Sequence, residues 1–310
     1  MADVQNGSAS AVTVVIATRD RPGQLEEAAL AALRQDHPGP LELLVVFDQV
    51  PVRELDLGDL PAGRSLRLMA NKRTPGLPGG RNTGIGAATG EYIAFCDDDD
   101  SWLPGKVTAQ LSLLADHPGS FASGTGVEVR SPGGSTVRLV PFEPVELRHL
   151  LRDRVFELHP SSVLVRRDRL VAEAGLVDEE IPGGYAEDYD LALRIARIAP
   201  IPCVPEPLTI VNWGGSFFAH RFPMIADALE YLLAKHPEFT GEPAGLARVQ
   251  GQIAFYRAAS GSFRAALGWA RRALRGNWRE PRAYLALLLT TRLVGAERVL
   301  RVLNARGRGV

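Results

Sequence analysis

Cysteine is scarce in this chain of 310 residues: Cys96 and Cys203 are the only two. That excludes a disulfide framework and a cysteine zinc site with paired spacing, and a reducing compartment is expected. Long apolar runs are missing as well. Residues 1–11 place no basic residue ahead of an apolar stretch, and the first apolar run, 12–17, is shorter than a signal-peptide core or a membrane span. A soluble, cytoplasmic protein is expected. Several short signatures are also lacking. No G-x-x-x-x-G-K-[ST] loop and no G-x-S-x-G elbow occur, which disfavours a P-loop nucleotidase and an α/β-hydrolase, and the six histidines form no H-E-x-x-H. Gly84-Ile85-Gly86-Ala87-Ala88-Thr89-Gly90 has its third glycine one place late for a dinucleotide fingerprint, and it precedes a strand instead of following one.

What is present is a large apolar reservoir: 45% of the residues are hydrophobic and 23% charged, enough for one big domain and a smaller one. The formal net charge of -1 hides an asymmetry. Residues 241–310 hold 13 Arg, 3 Glu and neither Lys nor Asp, a net +10, which leaves -11 for the first 240. Two regions with opposite electrostatic tasks are implied.

The N-terminal part alternates short β-rich runs with helical patterns, the rhythm of an α/β sheet with crossover helices. Strands are expected at 12–17, 41–47, 65–70 and 91–96. After the first, Asp20 is the expected cap of a helix with Pro22 in its first turn and Leu25, Ala28, Ala29, Ala32 and Leu33 on its buried face. A short helix is expected over about 80–89. Each strand ends in a polar cluster, the edge along which open α/β sheets bind ligands. Farther on, the pattern predicts a helix over 104–114, strands around the Ser131-Pro132-Gly133-Gly134 turn, a helix near 145–152, a strand at 161–165 and a last helix near Ala186. Residues 238–243 have linker composition. In the helices beyond them, Phe263, Ala266, Leu267, Ala270 and Leu274 form one apolar stripe.

The strongest chemical feature is Phe95-Cys96-Asp97-Asp98-Asp99-Asp100-Ser101-Trp102, in which a strand runs into four consecutive carboxylates. Two unit charges about 6 Å apart repel by roughly 3 kcal/mol at an effective dielectric of 20, so the cluster needs water or a cation. Oxygen donors suit hard divalent ions such as Mg2+ or Mn2+. Glu187-Asp188-Tyr189-Asp190 opens a helix after Pro182-Gly183-Gly184-Tyr185. Those carboxylates either complement the helix dipole or supply a general base.

In order and spacing, several segments together resemble an inverting family 2 glycosyltransferase of the GT-A fold, over about residues 12–220. They are Val14-Val15-Ile16-Ala17-Thr18-Arg19-Asp20-Arg21, the run 43–48, Arg81-Asn82-Thr83-Gly84-Ile85, Gly90-Glu91-Tyr92-Ile93-Ala94-Phe95, the four aspartates and Ala186-Glu187-Asp188-Tyr189-Asp190-Leu191. The resemblance implies a Rossmann-like mixed α/β sheet as catalytic domain over 1–240, with 241–310 as an arginine-rich helical extension. It implies that Thr18 and Asp48 line the nucleotide-base pocket and that Arg81 reaches the base or the diphosphate. Asp97 would lie near the ribose and Asp99 would ligate Mg2+ or Mn2+. Asp188 would be the catalytic base, with Glu187 beside it in the substrate-binding set.

Two departures from the family pattern stand out. Phe47 precedes Asp48 where relatives commonly have a second acid. Asn212-Trp213-Gly214-Gly215-Ser216 stands where many carry a histidine, so the cation or phosphate contact would pass to His220 or to no histidine. Trp213 could stack on a sugar ring or simply pack its loop.

The implied activity is transfer of a monosaccharide, of the hexosyl type, from a UDP- or dTDP-sugar to a hydroxyl acceptor. A sugar nucleotidyltransferase shares the acidic metal site, but it would need a glycine- and lysine-bearing loop near the first strand. A non-catalytic sugar-nucleotide module with a partner-binding tail is the non-enzyme alternative. The basic tail could meet an anionic membrane surface, a polyanionic acceptor or the acidic catalytic domain. No nucleic-acid-binding module supports contact with DNA or RNA.

Overall fold

The computed structural model describes residues 10–19, 21–213 and 221–304, with the backbone alone for 302–304. It begins with β1 (Val12–Thr18), α1 (Pro22–Leu33), β2 (Leu41–Phe47), β3 (Arg64–Ala70), α2 (Leu77–Ala87) and β4 (Tyr92–Phe95). Every residue of β1 is buried, as befits a strand covered on both faces. On the edge strand β3, burial alternates. β1 lies parallel to β2 and to β4, and β2 parallel to β3. The buried face of α1 consists of the five residues that its spacing predicts. Its N-cap is Arg21, which makes no side-chain cap bond; Asp20 lies outside the described residues.

Then come β5 (Ser101–Trp102), α3 (Lys106–Asp116), β6 (Ala122–Ser131), β7 (Gly134–Arg138), α4 (Leu147–Arg152), β8 (Leu164–Arg166), the short α5 (Arg167–Arg169), α6 (Glu187–Ile198) and β9 (Cys203–Asn212). The strand order is β3-β2-β1-β4-β8-β6-β9-β5, with β7 on β6. β8 runs antiparallel to both β4 and β6, so the sheet is mixed. Ser161, expected at the start of a strand, sits in a 3-10 turn over Pro160–Ser162. β9 was not among the expected strands, and it contains Pro205 and Pro207, which lack the N–H that a ladder uses. They fall where the register with β6 jumps, Thr125 facing Val204 and Val127 facing Thr209. The residues between leave the ladder, and no prolyl N–H is missed there.

The chain divides into two compact units. The first, Met1–Leu147, Val155–Glu179 and Leu191–Gly214, holds the sheet; the second comprises Arg148–Arg154, Glu180–Asp190 and Gly215–Val310. The units therefore interleave in sequence. The second holds α7 (Phe222–Lys235), α8 (Pro243–Ala259), α9 (Phe263–Gly276), α10 (Pro281–Thr290) and α11 (Ala296–Asn304). The stretch expected to be a linker is instead a 3-10 turn, Pro237–Gly241, that buries Phe239 edge-on to the Tyr189 ring at 6.4 Å. The buried face of α9 is also narrower than expected. Ala266, Ala270 and Ala273 form it, and Leu267 points to solvent. Among the described residues no helix is long and apolar enough to cross a membrane.

Gly80 and Gly84 of α2 are packing residues. A Cβ at Gly80 would sit 2.9 Å from the Cβ of Ala17, and one at Gly84 would strike Val15, both on β1. This lets α2 lie close against the central strand and carry Arg81 to its end. Because Ala17 Cβ is fixed to the backbone, Gly80→Val is expected to destabilise the fold by about 1–3 kcal/mol despite its better helix propensity. A thermal midpoint unchanged from wild type would contradict this.

Candidate active site

The chain winds outward from β1 through β2 to β3 and then returns to the other side of β1 as β4. The carboxyl ends of β1 and β4 therefore flank a topological switch point, where open α/β sheets leave a crevice. Thr18 closes β1, Asp48 follows β2, and the four aspartates follow β4.

At the β2 end, Asp48 is buried and accepts hydrogen bonds from Asn71 Nδ2 at 2.8 Å, Gln49 Nε2 at 2.8 Å and the Gly76 N–H at 3.0 Å. Burial alone would raise its pKa; the bonds from Asn71, Gln49 and Gly76 outweigh burial and hold it below the ordinary value. Asp48 is thus an ionised acceptor. Thr18 Oγ1 donates to Asp98 Oδ2 at 2.7 Å.

The four consecutive carboxylates are divided among different partners. Arg21 Nη1 lies 3.0 Å from Asp98 Oδ1 and also pairs with Asp99. Arg81, itself buried, donates from Nη2 to Asp97 Oδ1 at 2.7 Å. Asp100, the most buried of the four, accepts from Ser161 Oγ at 2.6 Å and from the Asn212 N–H at 3.1 Å. His159 Nδ1 stands 3.3 Å from Asp100 Oδ2, and its Nε2 3.8 Å from Asp97 Oδ2. Burial raises the pKa of Asp98, Asp99 and Asp100, with the neighbouring aspartates adding to it. Asp99 is pushed up to about 6.

Among the described residues, four carboxylates thus face two guanidiniums and one imidazole. Asp97, Asp100 and His159 each offer an atom within 4.8 Å of the others. Two carboxylates and an imidazole in a site short of positive charge suit a divalent cation such as Mn2+. Asp99, the ligand that the family resemblance implies, lies outside this trio and is held by Arg21. His220 lies outside the described residues.

The family model for glycosyl transferase family 2 matches residues 13–170. The chain belongs to this family. It is therefore a glycosyltransferase, and its relatives agree. It is 25% identical over 225 residues to the amylovoran biosynthesis glycosyltransferase AmsE of Erwinia amylovora, spanning 68% of this chain and 78% of that protein. Over 141 residues it is 37% identical to the Escherichia coli UDP-Glc:alpha-D-GlcNAc-diphosphoundecaprenol beta-1,3-glucosyltransferase WfgD, spanning 44% of this chain and 52% of that one. Residues 1–349 of S. aureus TarS, solved with UDP, align with a TM-score of 0.54 at 15% identity over 87% of this chain and 89% of theirs. The mannosyltransferase PcManGT of Pyrobaculum calidifontis, solved with GDP-Man and Mn2+, aligns with a TM-score of 0.52 at 17% identity over 96% and 88%. The fold of this glycosyltransferase is GT-A.

In the second unit of the glycosyltransferase, Gly183, Gly184 and Ala186 all have positive φ, which turns the chain sharply into α6. The first turn of α6 carries Glu187, Asp188 and Asp190. Asp188 Oδ2 lies 2.6 Å from Arg154 Nη2. Burial would lower the Arg154 pKa, but Asp188 overrides that and raises it. Glu187 is buried. Asp190 has a structural role, fully buried with Lys235 Nζ and His236 Nε2 both 2.8 Å from its Oδ1. Back in the first unit, Trp213 is 51% exposed and its ring lies 5.3 Å from that of Phe156.

Sequence reasoning gave no role to Arg21, His159, Ser161 or Asn212. Arg21 stands inside the motif after β1, and its signal was position in that motif. The other three come from distant segments and carry no local signature. Nor was Glu179 singled out. It accepts from Asn82 Nδ2 at 2.6 Å and also binds Arg73 and Thr74, tying the loop after β3 to α2. Burial opposes ionisation, but these partners hold its pKa down at about 2, against an ordinary 4.5. A depressed carboxylate pKa stabilises the fold above the unfolded value, and the contribution drains away as pH falls from about 4.5 to about 2. Glu179→Gln is expected to flatten that part of the stability-against-pH curve in denaturant titrations. Curves that stay parallel to wild type across the window would contradict the assignment.

Proposed function

We propose that this glycosyltransferase transfers a monosaccharide from a nucleoside diphosphate sugar to a hydroxyl acceptor, with inversion and with Mn2+ or Mg2+ as cofactor. The observation that carries this reading is the convergence of Asp97, Asp100 and His159 within 4.8 Å beyond β4, where the described residues are short of positive charge. A divalent cation there would neutralise the diphosphate as it leaves. Solved neighbours hold UDP, UDP-GlcNAc, and GDP-Man with Mn2+, which supports a nucleotide sugar as donor.

The roles of individual residues follow from their chemistry. Asp48, held ionised, accepts a hydrogen bond and so suits the imide N–H of uracil or thymine in a UDP- or dTDP-sugar, with Thr18 beside it in the base pocket. Asp97 and Arg81 serve the ribose and phosphate side. Asp99 has Arg21 as partner and either joins the cation ligands or sets the charge that they feel. Exposed Trp213, backed by Phe156, offers a face for a sugar ring. Asp188 accepts the acceptor's hydroxyl proton while that oxygen bonds to the anomeric carbon and the carbon–oxygen bond to the diphosphate breaks on the opposite face. Glu187, next to this base in the chain, belongs with the substrate-binding set. The acceptor named for WfgD, a sugar on diphosphoundecaprenol, favours a lipid-linked saccharide.

Asp188→Asn is expected to lower kcat by at least about a hundredfold while leaving UDP affinity in Mn2+ intact. NMR of the wild-type product should show the anomeric configuration opposite to that of the donor. Retention of configuration, or near-wild-type turnover by Asp188→Asn, would contradict the mechanism.

A further inference from the structure

The catalytic reading leaves the arginines of residues 241–310 without a task. Some are used inside the second unit: Arg257 pairs with Asp227 at 2.6 Å, Arg282 with Glu280 at 3.0 Å and Arg248 with Asp153 at 3.5 Å. Arg264, Arg271, Arg272, Arg275, Arg279 and Arg292 are exposed and have no carboxylate partner among the described residues. The first four are on α9, where Arg264, Arg271 and Arg275 follow one another at helical spacing with exposed Leu267 among them. Three of the six guanidiniums stack on aromatic rings: Arg272 on Trp269 at 4.5 Å, Arg279 on Trp278 at 4.7 Å and Arg292 on Phe263 at 5.0 Å.

The same hairpin exposes large apolar and aromatic side chains. Tyr284 and Leu288, one turn apart on α10, are 50% and 39% exposed, and Tyr284 Oη donates to the Trp278 carbonyl at 2.7 Å. Trp278, 66% exposed, precedes α10 with Arg279 over its ring, and Leu293, 83% exposed, follows α10 next to Arg292. Guanidiniums form paired hydrogen bonds to phosphate, tryptophan and tyrosine settle at headgroup depth, and a helical face mixing cations with such side chains lies flat in an interface. A water-soluble polyanion would engage the arginines but give no cover to Trp278, Leu288 or Leu293.

We propose that the α9–α10 hairpin docks onto an anionic phospholipid bilayer, its arginines on lipid phosphates and Trp278 and Leu293 in the headgroup layer. The test uses the full chain in co-sedimentation with phosphatidylcholine vesicles, with and without phosphatidylglycerol. Binding is expected only with phosphatidylglycerol present, and it should weaken as salt rises. Arg264→Glu/Arg271→Glu/Arg275→Glu should lose affinity by at least roughly a hundredfold with an unchanged thermal midpoint. Trp278→Ala, which leaves the charge intact, should weaken binding separately and so tests the face even if the triple variant misfolds. Equal binding to neutral vesicles, wild-type affinity in both variants, binding to a soluble polyanion such as polyglutamate without vesicle binding, or self-association through this face in sedimentation velocity would each overturn the proposal.

Discussion

The active-site region is organised by the repulsion among four adjacent carboxylates at the end of a buried strand. Burial raises the cost of their charge and pushes the pKa of Asp98, Asp99 and Asp100 up from the ordinary value. Among the described residues two guanidiniums, Arg21 and Arg81, lie against them. The local deficit of positive charge matches what a divalent cation carries, and a diphosphate donor can share that cation.

Much of the surrounding fold serves to hold this arrangement. Close packing of α2 on β1 through Gly80 and Gly84 delivers Arg81. The 3-10 turn before β8 supplies Ser161, and the end of β9 supplies the Asn212 N–H, both to Asp100. The switch in strand order between β1 and β4 then opens these groups to a ligand, while Asp48 at the neighbouring strand end is kept ionised by its own set of donors. Strand order and charge thus point to the same edge of the sheet.

The first half of the sheet was legible because its periodicity is unambiguous: β2 and the buried face of α1 fall where apolar spacing puts them. The aspartate run was legible because four like charges in a row have no packing explanation. His159, Ser161 and Asn212 were not, since each is a single polar residue brought to the site by a long-range pairing that no local pattern encodes. Nor was β9, whose prolines its bulge accommodates. Leu267 and Phe239 exchanged expected places because alanines on α9 allow a closer approach than leucine, and because a polar, proline-flanked stretch can still bury one aromatic ring.

Electron paramagnetic resonance of Mn2+ titrated into the protein with UDP present reads the charge deficit most directly. Wild type should take up the free-ion signal in proportion to protein, and Asp97→Asn and Asp100→Asn should each leave most of it in solution with their folds intact. Uptake by both variants equal to that of wild type would show that the cation, if held at all, is held elsewhere.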